Sequence, residues 1–250
     1  MHKPKILLDI VYFLGRLPQN LLPLGLFYEE ATGNALPEEV GTWTYAVRGA
    51  MDKAGWKNGH LVVHIHEKWN LGDMTQLECL VNGANGIWAS ICDEGAALGH
   101  ACSVVTIMNL LRMGNTKVIE KYNCKKFREA AIAVTQITTG QLPHPKKPIY
   151  GERALDLTFD FEGIAGGLSG PDEIFDINDF FGEVPPIRIT TLSSENLIIQ
   201  CLEDYFGENV QFTEEIARSM KETMFEDLRS NRKEEYMSEV GKFFKSCIRG

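Results

Sequence analysis

The stretch from His60 to Asn70, HLVVHIHEKWN, decides the fold. Leu61 to His66 is too uniformly apolar for a strand facing solvent and reads as an interior strand of a parallel sheet. Gly72 to Asn82 then reads as the helix that follows it, closed by Gly83. Upstream, a strand is expected from Leu22 to Tyr28, a loop from Glu29 to Asn34, and a helix from Pro37 to about Lys53. Proline suits the first helical turn, and Glu38 and Glu39 set negative charge at the helix's positive end. Downstream, Gly86 to Cys92 reads as a third strand, residues 93–100 as a loop of small residues, and Ala101 to Met113 as an apolar helix. An additional helix, Ile6 to Leu17, precedes all of these and stops at Pro18. Strand, loop and helix thus recur three times, which predicts an α/β fold of parallel βαβ units. In such sheets the chemistry gathers in the loops after the carboxyl ends of the strands.

The chain has 250 residues, 44% of them hydrophobic and 24% charged, enough to bury a sizeable core. Its 34 acidic and 25 basic residues give a net charge of -9, which argues against nucleic acid and against an anionic membrane surface as partners. No apolar run reaches the roughly 20 residues that span a bilayer, and residues 1–5 lead into no cleavable signal, so a cytoplasmic chain is expected. The six cysteines form no CxxC pair, which points away from a zinc ribbon or disulfide scaffold and toward a reducing compartment. Beyond Met113 the pattern changes. Lys125 to Ile137 reads as a helix, Thr138 to Gly151 as a connector, Phe159 to Pro186 as acidic loop, and the remainder as helices beginning at Ser193-Ser194-Glu195 and Thr213-Glu214-Glu215. The expected division is 1–140, a connector over 141–186, and a helical region over 187–250.

His64 and His66 end the second strand, and residues two apart in a strand project to the same face, so both imidazoles can reach one ion. The plainer reading is a pair of histidines packed in a buried sheet. His100 follows the third strand on the same rim and can bring a third nitrogen. Glu67, directly after His66, is the candidate general base, against the plainer reading of a solvated rim carboxylate. Cys92 and Cys102 flank the same loop and read as inert buried thiols. Met51, Trp56, Trp69 and Trp88 read as core or rim packing. Phosphate-loop and GxGxxG patterns are absent.

These residues carry a resemblance. HIHEKWN (64–70), VNGANGIWAS (81–90) and CDEGAALGHA (92–101) resemble, in register, the H-x-H-N-D-x-G, A-G-A-D and G-x-G-E-R-x-G-N-A segments of the metal-dependent pyruvate-carboxyltransferase superfamily. That superfamily of TIM barrels contains isopropylmalate, homocitrate and citramalate synthases, hydroxymethylglutaryl-CoA lyase and ketoacid aldolases. EATGNALPEE (30–39) is similar to its D-T-x-G-x-x-x-P-E-E loop, and KPIYGERAL (147–155) to the P-I-V-G-x-N-A-F segment after the barrel in the synthases.

The resemblance implies the C-terminal portion of a (β/α)8 barrel, about three units, followed by a mostly helical region. It implies a divalent metal, magnesium, manganese or zinc, held by His64, His66 and His100, with His100 standing where the family has Asn. Imidazole in that position softens the donor set and favours zinc or iron. Thr32 is the candidate substrate-binding residue, because Ala31 occupies the family's Thr position and Glu30 that of its Asp. Ala96 and Ala97 replace a Glu-Arg pair, and Leu157 and Glu162 replace two synthase histidines. The implied substrate is a 2-oxo acid, joined by an acyl-CoA in the synthase branch, and the implied chemistry makes or breaks a carbon–carbon bond. A whole barrel takes about 250 residues and opens on an R-D-G-x-Q loop, so the expected assembly is a homo-oligomer, or association with a chain that completes the barrel. The alternative is a catalytically inactive, truncated relative that binds a partner chain through its open sheet edge and helical tail.

Overall fold

The computed structural model describes residues 4–154, 189–207, 212–231 and 244. Leu157, Glu162, the acidic stretch over 159–186 and the final segment toward Cys247 lie outside them. The described residues fall in two compact units: 4–113, 122–143 and 148–150 in one, and 114–121, 144–147 and the described residues from 151 onward in the other.

The first unit runs α1 (Pro4–Gly15), β1 (Gly25–Glu30), α2 (Pro37–Lys53), β2 (His60–Ile65), α3 (Gly72–Val81), β3 (Gly86–Trp88) and α4 (Ser103–Arg112), with α6 (Cys124–Thr139) after α5 (Lys117–Lys121) of the second unit. The three strands form one parallel sheet in the order β1-β2-β3. The architecture is therefore α/β, built on a small parallel sheet. One face of that sheet carries Tyr28, Leu61, Val63 and Ile65, which pack with Val11, Val40, Val47 and Met51 of α1 and α2 into a single core. The other face carries Phe27, Glu29, Val62, His64 and Trp88, with Phe27 49% and Trp88 61% exposed. Trp56 is core, whereas Trp69 is exposed, its indole N–H donating to Asn34 Oδ1.

Two strand boundaries differ from expectation, each for a physical reason. β1 begins at Gly25 and runs through Glu29 and Glu30, which pair with His64 and Ile65 of β2. The Glu30 carboxylate accepts the backbone N–H groups of Thr32 and Gly33 and the Thr32 hydroxyl, so the charge belongs to the ladder's end rather than to a solvated loop. β3 ends at Trp88 rather than Cys92. The chain returning at Ala101 donates its N–H to the Ile65 carbonyl, and His100 bridges to His66, so the positions a longer β3 would have paired with are taken. Helix α2 spans the expected residues, with Glu39 reaching back to the Leu36 N–H.

In the second unit, α7 (Glu195–Phe206) and α8 (Glu214–Asn231) pack Leu197, Ile198, Leu202, Met220 and Met224 into a separate core, and Ser194 caps α7 at the Leu197 N–H. No helix among the described residues is long and apolar enough to cross a membrane.

Candidate metal centre

His64 occupies the last turn of the ladder in β2, on the face opposite Val63 and Ile65, and is buried. His66 follows on the same face, and the 93–100 loop folds back so that His100 meets it. The ring centroids of His64 and His66 are 4.7 Å apart, those of His64 and His100 4.7 Å, and those of His66 and His100 5.0 Å. One ring nitrogen from each lies within 4.8 Å of those of the other two.

The hydrogen bonds identify which nitrogens are free. His64 Nδ1 lies 2.9 Å from the Trp88 carbonyl oxygen. A carbonyl only accepts, so the proton of the neutral ring sits on Nδ1 and the lone pair on Nε2. His66 Nε2 lies 3.1 Å from Glu29 Oε1. A carboxylate likewise only accepts, which leaves the lone pair on Nδ1, and that nitrogen is buried with no hydrogen-bond partner. His100 Nδ1 is 3.0 Å from Ser90 Oγ, a hydroxyl that can donate or accept, so this contact occupies Nδ1 without placing the ring proton and leaves Nε2 as the open nitrogen. An orphaned imidazole lone pair beside two other available nitrogens is the arrangement an ion satisfies, with a carbonyl, a carboxylate and a hydroxyl orienting the three rings from behind. Three nitrogens around one tetrahedral zinc, at about 2.0–2.1 Å, stand about 3.3 Å apart. The nitrogens therefore need to close by up to about 1.5 Å. Burial, and then the neighbouring His64 and His66, push the His100 pKa below its ordinary value, which keeps that ring neutral and able to coordinate. These three histidines can hold a metal ion.

The other candidate residues stand apart. Glu67 Oε2 accepts the Gly72 N–H, 2.8 Å away, at the start of α3, a helix with no side-chain cap of its own. Its Oε1 is buried without a partner. Successive residues of an extended chain face opposite sides, so Glu67 turns away from the face that carries His66. Thr32 is exposed, its hydroxyl donating to Glu30 and accepting the Asn34 N–H at 3.2 Å. Cys102 is buried, its thiol pushed up to about 12 chiefly by desolvation, which excludes a thiolate at neutral pH. Glu29 was hidden in the sequence because two adjacent glutamates before Thr-Gly read as loop. The one signal for it is its strand register, opposite His64.

The loop bearing His100 is held at both ends. The Asp93 carbonyl accepts the His100 N–H, and the Asp93 carboxylate accepts the Tyr150 hydroxyl at 3.1 Å. Gly95 allows it to fold so tightly. At φ +145° it adopts a conformation that L side chains rarely reach, and a Cβ there would stand 2.3 Å from His100 Nδ1 and 2.7 Å from Ser90 Oγ. Gly95→Ala is therefore expected to lower stability by about 1–3 kcal/mol and to weaken zinc binding about 10–100-fold by displacing His100. Chelator-competition titration reads the second effect, and an unchanged affinity would show that His100 is not a ligand. No protein-family model matches the chain, and no curated protein matches it.

Proposed function

We propose that the chain is a portion of a divalent-metal-dependent TIM-barrel enzyme that makes or breaks a carbon–carbon bond in a 2-oxo acid, with zinc as its ion. The observation that carries this reading is the convergence of three imidazoles, one with an orphaned lone pair, at the carboxyl-terminal rim of a parallel sheet. Three nitrogen donors suit zinc better than magnesium, which prefers oxygen, and they leave coordination positions open. When bound, such an ion supplies Lewis acidity to a carbonyl oxygen and stabilises the charge that develops on it. His64, His66 and His100 hold and orient it. Phe27 and Trp88, exposed beside His64 on the same sheet face, offer apolar surface for the substrate's carbon chain. An acyl-CoA is the second substrate if the reaction is a Claisen condensation, whereas an aldol cleavage needs none.

The test is to strip the chain with a chelator, reload it with zinc or manganese, and follow 2-oxo acids, with and without acyl-CoA, by mass spectrometry. Metal-dependent consumption with a product of altered carbon number is expected. Stoichiometric metal uptake with no turnover in either direction would overturn the catalytic reading. A second reading, a non-catalytic chain that docks on a partner, is favoured by the half-exposed Phe27 and Trp88 on the sheet face away from the helices. Light scattering of the purified chain, alone and with co-purifying proteins, distinguishes it.

A further inference from the structure

We propose that Glu29 is a positioning residue of the metal centre: its carboxylate holds the proton of His66 on Nε2 and so commits Nδ1 to the ion. This rests on the metal reading above and adds a residue that the histidine pattern alone does not contain. The parallel register sets Glu29 beside His64 on β1, on the same sheet face as His64 and His66, and its Oε1 lies 3.1 Å from His66 Nε2. The His66 side chain is 11% exposed and that of Glu29 43%. The imidazole is thus enclosed while the carboxylate reaches it from the rim.

The consequence for coordination is specific. His64, whose Nδ1 faces the Trp88 carbonyl, offers Nε2, and His100, whose Nδ1 faces Ser90, offers Nε2 as well. His66 alone is turned the other way round and offers Nδ1, the nitrogen that is buried and unpartnered. A ligand that binds through Nδ1 brings its Cβ close to the ion and leaves Nε2 pointing outward, where only an acceptor at the rim can orient it. Glu29 is that acceptor. A hydrogen-bonded carboxylate also makes the opposite nitrogen a stronger donor, and loss of such a partner costs about 10–100-fold in metal affinity.

The experiment uses the full chain in three forms, wild type, Glu29→Ala and Glu29→Gln. Glu29 lies at the exposed rim, so circular dichroism should show all three folded. In the metal-free chain at about pH 8.5, where imidazoles are neutral, nitrogen-15 correlation spectra of the histidine rings read the site of each proton. The wild type should show the His66 proton on Nε2 in slow exchange with water, and Glu29→Ala should lose that protected signal. In the cadmium-loaded wild type, nitrogen–cadmium coupling should appear at His66 Nδ1 and at Nε2 of His64 and His100.

Zinc affinity by chelator competition should fall about 10–100-fold in Glu29→Ala. Glu29→Gln, which keeps an oxygen acceptor, should recover most of that loss. A His66 proton found on Nδ1, or an Ala variant that binds zinc as the wild type does, would overturn the proposal. So would a Gln variant as weak as the Ala variant, since that result would make Glu29 a direct ligand. Failure of the wild type to take up zinc would instead overturn the metal reading, and the metal-free spectra would still decide whether Glu29 holds the His66 proton.

Discussion

Replacing His64 by alanine should weaken zinc binding by roughly 10²–10³-fold, since structural zinc sites bind with about 10–16 kcal/mol over four ligands, or about 2.5–4 kcal/mol for each. His64 is the most enclosed of the three imidazoles, at the end of a strand that pairs on both sides, and the Trp88 carbonyl fixes its ring. Rotation of a neighbour cannot replace it. The matching control is His60→Ala, at the other, exposed end of the same strand, which should leave the affinity unchanged. Chelator competition on both variants checks the pair. Equal losses in both, or none in either, would mean that zinc binds elsewhere.

The second large effect is on stability. Ile65→Ala should lower the unfolding free energy by about 2–5 kcal/mol, with Ile65→Val costing about 0.5–1.5. Ile65 is 2% exposed on the helix-covered face, between the two histidines that point the other way. Its carbonyl also accepts the Ala101 N–H, which seats the returning loop. Urea unfolding followed by circular dichroism measures the change, and an unchanged midpoint for the Ala variant would mean that this face is not the folding core. Because Ile65 touches the core while His64 and His66 lie on the opposite face, the Val variant should lose stability with little loss of zinc affinity. That separation tests whether the two faces of β2 carry separate tasks.

Much of this was legible in the residues. The span of α2 follows from Pro37, Glu38, Glu39 and the apolar spacing behind them, and β2 from an uninterrupted aliphatic run. His64 and His66 share a face by the two-residue period of any strand, and the glycines around His100 mark it as a loop residue able to return to the sheet. The rest depends on partners remote in sequence. The end of β3 is decided by Ala101 claiming the Ile65 carbonyl, an event local propensity at Ala89 or Ser90 does not encode. Glu29 looked like loop because two acids precede Thr-Gly, yet its charge is answered by an imidazole 37 positions on. Glu67 looked like a free base on the rim, but one of its oxygens is drawn to an uncapped helix start. In each case the residue type was readable and its commitment was set by a backbone group or ring that only the folded chain brings near.

The strand order β1-β2-β3 has a consequence for how the site comes into being during synthesis. Each strand pairs in parallel with the one just before it in the chain, across a crossover helix, so the pairing partners are all present once β3 has been made. The three histidines, Glu29 and Ser90 all precede the first residue of α4, and only Tyr150, which steadies Asp93, comes much later. A nascent chain released through α4 already holds every coordinating nitrogen. The three imidazoles that could hold an ion, and the sheet that presents them, are thus complete in sequence before the helices α7 and α8 are translated.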